Sequence, residues 1–136
     1  MLSVIVPCFN EERLIKKSIL EILKAIKICK ISKYEIIIVD DGSEDKSYVI
    51  SKKLINKYKN IKIVKNKKNY GIGYNFFKGV SLSKQKYLIQ IPADNSHPAK
   101  EISKILKFIN KRFDLVTTYY SNNAERSAFR NIFTLV

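Results

Sequence analysis

The sequence predicts an α/β fold, a mostly parallel sheet with helices on both faces, built as one domain over residues 1–136. Three observations predict it. Apolar runs of strand length alternate with longer stretches of helical period, the pattern of successive βαβ units. Several of the runs are apolar without alternation, Ile36-Ile37-Ile38-Val39 above all, as expected of strands covered on both faces. The length of 136 residues suffices for one sizeable core and is too short for two domains.

In chain order, strands are expected at 2–6, 34–40, 61–66, 87–91 and 115–120, and helices at 11–30, 45–59, 73–83 and 99–111. The first helix carries Leu14, Ile15, Ser18, Ile19, Ile22, Leu23 and Ile26 as a stripe that must lie against the sheet. Pro7 is read as the stop of the first strand and Asn10 as a cap of the helix after it. Ser43 is read as the cap of the second helix, with Glu44 and Asp45 in its first turn. Residues 123–136 read as an amphipathic basic helix: Phe129, Ile132, Phe133 and Val136 fall at helical spacing, with Arg126 and Arg130 at the rim. Such a helix packs on the domain or lies on a membrane surface, and its pattern alone does not choose.

Composition excludes several classes. Nearly half of the residues are apolar and 28% are charged, which argues against a disordered or fibrous chain. The net charge of +14 raises nucleic acid as a partner. Its distribution argues against that, because the cations are mostly lysines scattered through every predicted helix, without an Arg-rich tract. A basic surface also suits anionic lipid or a sugar nucleotide. Cys8 and Cys29 lack the paired spacing of a zinc site. No stretch resembles a signal peptide or approaches the roughly 20 apolar residues of a membrane span. A cytoplasmic protein, at the inner face of the membrane if it meets lipid, is expected.

The chemistry is sought in loops at the carboxyl ends of the strands, where open parallel sheets form their ligand crevice. The first such loop holds Pro7, Cys8, Phe9, Asn10, Glu11 and Glu12. The second holds Asp40, Asp41, Gly42 and Ser43; carboxylates there accept hydrogen bonds from ribose hydroxyls and from a nucleobase N–H. The third holds Lys67, Lys68, Gly71 and Gly73, which hint at a phosphate-cradling turn at a helix N-terminus, while Gly79 reads as a small residue for close packing of helix on sheet. The two lysines face either diphosphate or solvent. The fourth holds Pro92, Ala93, Asp94, Asn95 and His97, where Asp94 can hold a divalent cation that takes its other ligands from phosphate and water. His97 is a second ligand, a general base or a structural residue.

The strings SVIVPCFNEE, EIIIVDDGSEDKS, NYGIGYNFFKG and KYLIQIPADNSHP, in this order and spacing, resemble the family 2 glycosyltransferases of Rossmann-like GT-A fold. Within that family they are most similar to the polyprenyl- and dolichol-phosphate sugar transferases. The resemblance implies a UDP- or GDP-sugar donor, an inverting transfer to a lipid-phosphate or glycan acceptor, peripheral membrane contact, and Mg or Mn as cofactor. Carried over by position, it implies that Pro7, Asn10, Glu11 and Glu12 line the nucleoside pocket and that Asp40 meets the base. Asp41 would meet the ribose or the nearby loop; Lys67, Gly71 and Ala93 would complete the donor site, and Asp94 would hold the metal. The family's acidic pair there is Asp-x-Asp, and Pro92 occupies its first position. Asn75 stands where a small residue is common. Acceptor-side strands and a general base are expected beyond Val136 in this family, and no convincing base is present within the 136 residues.

Overall fold

The structure, a computed structural model, describes residues 1–109, 111 and 113–117. Four strands, β1 (Leu2–Cys8), β2 (Tyr34–Asp40), β3 (Ile61–Lys65) and β4 (Tyr87–Gln90), alternate with four helices, α1 (Ile15–Ile28), α2 (Ser47–Lys57), α3 (Ile72–Leu82) and α4 (Ala99–Leu106). The strands form one parallel sheet in the order β3-β2-β1-β4. Cys8, Asp40 and Lys65 lie side by side in register at its carboxyl edge.

Both faces of the sheet are covered, as the unbroken apolar runs require. Val4, Val6, Ile36 and Ile38 join Ile15, Ile19 and Ile22 of α1, Leu54 of α2 and Ile102 of α4 in the larger core. Ile5, Ile37 and Val39 point the other way, where Phe76 and Val80 of α3 pack on them. The two-residue period of a strand divides the side chains in this way. Gly79 brings α3 down onto the sheet: a Cβ there would run into the Ile5 side chain.

Several expected details differ. Pro7 does not end β1, which runs to Cys8. The carbonyls of Ile5 and Pro7 accept from the N–H groups of Ile91 and Ala93, so the N–H that proline lacks would face the β4 side, past the end of β4 at Gln90, and the pairing with β2 loses nothing. Asn10 does not cap α1, which starts at Ile15 without a side-chain cap. Ser43 does not cap α2, which begins at Ser47; the Asp45 carboxylate instead accepts the Ser47 N–H at 2.8 Å. Of the strand expected at 115–120, residues 115–117 belong to no strand. Residues 118–120 and the helix expected at 123–136 lie outside the described residues. No described helix is long and apolar enough to cross a membrane.

Candidate functional site

Four loops meet above the carboxyl edge of the sheet, and hydrogen bonds between side chains and backbone lace the first two together. The N–H groups of Asn10, Glu11 and Glu12 donate to Ser43 Oγ (3.0 Å), Ser47 Oγ (2.7 Å) and Asp45 Oδ2 (2.9 Å). In return Asn10 Oδ1 accepts from the Glu44 N–H at 2.9 Å, and Glu12 Oε2 from the Lys46 N–H at 3.1 Å. Asn10 adopts a left-handed φ of 55° to do so, which asparagine tolerates better than most residues. Burial pushes the Asp45 carboxyl up, but its bonds from Ser47 and the Glu12 N–H outweigh that and hold it below the usual range. The side chains of Asn10 and Glu12 thus build the loop pair. The Glu11 carboxylate has no hydrogen bond among the described residues, and its pKa is raised by burial and then by the negative charges of Asp94 and Asp45.

The adjacent carboxylates of Asp40 and Asp41 have opposite fates. Asp40 ends β2 on the same face as Ile36 and Ile38 and is fully buried. Its Oδ1 accepts the Ser43 N–H at 3.0 Å, while Oδ2 is buried with no partner among the described residues. Asp41, one position on, turns toward α3. Its Oδ1 accepts from Asn66 Nδ2 (2.7 Å) and the Tyr70 N–H (2.9 Å), and its Oδ2 from the Gly71 N–H (2.8 Å). Burial pushes the Asp41 carboxyl up, yet the Tyr70 N–H, Asn66, Asn75 and the Gly71 N–H together hold it below the ordinary carboxylate range.

Asn66 and Asn75, which the sequence did not single out as site residues, complete this network. Asn66 Nδ2 also donates to Asn75 Oδ1, and Lys78 Nζ donates to Asn66 Oδ1, both at 2.7 Å. The one signal that pointed here was Asn75 itself, a polar residue at a position where a small one is common. Gly71 takes a φ of 88° at the foot of α3, and its amide is committed to Asp41 and to Asn69 Oδ1. Lys67 and Lys68 are exposed on this loop.

Across the crevice, Ala93 is buried and its N–H donates to the Pro7 carbonyl at 3.1 Å, joining the β4 loop to the β1 loop. Ser18 Oγ of α1 holds the Pro92 carbonyl at 3.1 Å. Asp94 stands exposed on this support, with Oδ1 accepting the Ser96 N–H (2.9 Å) and Oγ–H (2.7 Å). Its other oxygen has no hydrogen bond among the described residues. His97 lines a cavity of about 270 Å³ with Phe76, Leu88 and Gln90. Among the described residues no three His, Cys, Asp or Glu side chains converge to hold a metal. A hard cation at Asp94 would therefore draw most of its ligands from diphosphate and water, a mode that Mg²⁺ accepts, and the nearby Glu11 charge is the other protein group suited to it. Cys8 is buried at the strand end, where burial and then Asp40 push its thiol up to about 12, so it is no nucleophile near neutral pH.

Comparison with known proteins agrees with this geometry. The chain is 33% identical over 117 residues to a dolichyl-phosphate β-glucosyltransferase of Dictyostelium discoideum, covering 81% of this chain and 36% of that one. It is 32% identical over 132 residues to an undecaprenyl-phosphate 4-deoxy-4-formamido-L-arabinose transferase of Pectobacterium atrosepticum, covering 96% and 39%. Among solved structures, TarS 1–349 of S. aureus in complex with UDP-GlcNAc superposes with a TM-score of 0.65 at 25% identity, over 79% of this chain and 30% of that one. The chain thus spans less than two fifths of the length of these relatives. Residues 3–133 match the model for glycosyl transferase family 2, and with the parallel sheet and its acidic carboxyl edge in view, the chain belongs to that family.

Proposed function

We propose that this chain binds the nucleotide of a UDP- or GDP-sugar at the carboxyl edge of its sheet and supplies the donor side of an inverting sugar transfer to a polyprenyl phosphate. The observation that carries the proposal is Asp40 Oδ2, a buried carboxylate oxygen at the end of a central strand that has no hydrogen-bond partner among the described residues. An unsatisfied buried acceptor is costly. A nucleobase N–H is the group that would satisfy it. In this reading Pro7, Ala93 and the loop of residues 10–12 contribute to the nucleoside site, and the exposed Lys67 supplies positive charge for the diphosphate. Asp41 acts through the loop of Asn66 to Gly71, which it holds in place.

A divalent cation, Mg or Mn, would be held by Asp94, with Glu11 as the second carboxylate. When bound, it would neutralise charge on the leaving diphosphate. The pKa of Glu11 is raised first by burial and then by the negative charges of Asp94 and Asp45, and a cation beside these groups would relieve that repulsion. The dolichyl- and undecaprenyl-phosphate names of the relatives favour a lipid phosphate over a glycan as acceptor. A phosphate monoester is already anionic at neutral pH and attacks without a general base. Such an acceptor places the work at the inner face of a membrane.

Calorimetry with UDP, GDP and their sugars, with and without Mn²⁺, tests the donor site. Asp40→Asn should weaken nucleotide binding about 10- to 100-fold, the worth of one hydrogen bond to a charged group; unchanged affinity would sink the Asp40 assignment. Binding indifferent both to Mn²⁺ and to Asp94→Ala would sink the metal assignment. Radiolabelled donor offered in parallel to polyprenyl phosphate and to a glycan decides the acceptor.

A further inference from the structure

Between Lys46 and Ala93 the chain carries twelve lysines and not one acidic residue, although Asp and Glu are present on both sides of this stretch. Exposed aromatic side chains rise out of it, Tyr70, Tyr74 and Phe77 among them. α3 packs on the sheet through Asn75, Phe76, Gly79 and Val80, which leaves Tyr74, Phe77 and Ser81 on the opposite stripe. Phe77 is 72% exposed, an unusual position for a phenylalanine. Tyr74 stacks on the exposed Tyr70 with ring centroids 4.6 Å apart, so the aromatic surface continues from α3 onto the loop that Asp41 anchors at the crevice rim. Lysines flank the rings: Lys68 Nζ lies 5.5 Å from the Tyr70 centroid, and Lys78 Nζ 5.8 Å from that of Tyr74.

We propose that the outer face of α3, together with the loop of Lys68 and Tyr70, docks the domain on an anionic lipid bilayer. Charge complementarity selects this occupant. Aromatic rings settle at the headgroup level, where one edge is apolar and the other wet. Lys68, exposed beside Tyr70, lays its stem along the apolar surface and keeps its ammonium group at the lipid phosphates, while the Lys78 ammonium stays with Asn66 Oδ1 and adds positive charge behind the Tyr74 ring. The absence of any carboxylate across the surrounding stretch removes the repulsion that an anionic membrane would otherwise exert. The rings begin at the rim of the donor crevice, so docking by this face would set the crevice mouth beside the headgroups, where a lipid phosphate presents itself. This inference deepens the lipid-phosphate reading of the acceptor and rests on it. Its test therefore uses vesicles free of donor and acceptor.

The chain contains no tryptophan, so Phe77→Trp introduces a single reporter on the proposed face, and Val49→Trp a control on α2, an exposed position in the same acid-free stretch. With mixed phosphatidylcholine–phosphatidylglycerol vesicles, the Trp emission at position 77 should shift to the blue and that at position 49 should not. Partition should be about tenfold weaker on pure phosphatidylcholine, and should weaken with salt. Adding Lys68→Gln and Tyr74→Ser to Phe77→Trp should reduce partition by a similar factor. No shift at position 77, an equal shift at 49, equal partition onto neutral vesicles, or a shift produced by duplex DNA and not by vesicles would overturn the proposal. Calorimetry of the same proteins with UDP and GDP reads the donor site separately. A chain that binds nucleotide but not vesicles loses only the docking face, and one that does the reverse loses only the donor site.

Discussion

Asp40 and Asp41 show how one position along the chain separates two roles. The strand period sends Asp40 to the face of α1 and α2 and Asp41 toward α3, so identical side chains meet different donors. Asp41 receives three hydrogen bonds at 2.7 to 2.9 Å. Asp41→Ala should destabilise the chain by about 3 kcal/mol in urea titrations, because buried donors lose their acceptor; a loss below about 1 kcal/mol would mean that water replaces the carboxylate. Glu35 plays the corresponding part at the opposite edge of the sheet, accepting from Ser3 Oγ and Lys62 Nζ, each at 2.7 Å, and from the Lys84 N–H at 2.6 Å. Burial pushes Glu35 up, but Lys62, the Lys84 N–H and Ser3 pull it below its ordinary value.

A depressed folded pKa adds stability at pH values above the unfolded value and loses it as the pH falls toward the folded one. Acid titration should therefore show stability beginning to drop through the ordinary carboxyl values of 4.5 and 3.8 for Glu35 and Asp41, and Glu35→Gln should flatten the upper part of that drop. Glu11 has the opposite sign. Its raised pKa means that ionisation costs stability as pH rises through the folded value. Glu11→Gln should raise the melting temperature of the ligand-free chain at neutral pH and reduce the further rise given by Mn²⁺ with nucleotide. The Cys8 thiol, pushed up to about 12, should resist alkylation at neutral pH until the chain is unfolded, while the partly exposed Cys29 reacts; equal rates in the native state would show the strand end to be open.

Element boundaries were legible where periodicity and burial agreed. α3 begins and ends within one residue of expectation, and Gly79, read as a small residue for close packing, sits against Ile5 of the sheet. α1 was placed at 11–30 and occupies Ile15–Ile28, and residues 10–12 are instead held as a loop on the segment after β2, their N–H groups donating to Ser43, Ser47 and Asp45. Those partners lie more than 30 positions away, beyond the reach of any local pattern. The two glycines of α3 separate packing from propensity. Gly79→Ala should cost about 1–3 kcal/mol by overpacking against Ile5. Gly73→Ala, with open space around its Cβ position, should be neutral or stabilising by up to about 1 kcal/mol. Equal effects in chemical denaturation would show that α3 is not seated on the sheet as described.

At the scale of the whole molecule, a net charge of +14 on one small domain makes self-repulsion a general term against folding. Raising NaCl from about 0.01 to 0.15 M, which shortens the Debye length from about 30 to 8 Å, should raise the melting temperature in the absence of ligands. A fall would mean that local ion pairs such as Glu35 with Lys62 outweigh the long-range repulsion.

The parallel α/β architecture and the placement of the site loops at the strand carboxyl ends followed from the sequence alone, because apolar runs, helical stripes and turn residues are local and the hydrophobic effect acts on their period. Asp40, Asp41 and Asp94 were legible as crevice carboxylates for the same reason. Their division of labour was not. The saturation of Asp41 depends on partners 25 to 30 positions distant, and the burial of Asp40 and the exposure of Asp94 depend on the face and the loop that each side chain takes. The pairing of Asn66 with Asn75 spans only nine positions, but a hydrogen bond between a loop and a helix has no period in the chain. Only the tertiary structure, by bringing those segments within about 3 Å of one another, decided which acid is saturated by its neighbours and which keeps an oxygen without a partner among the described residues.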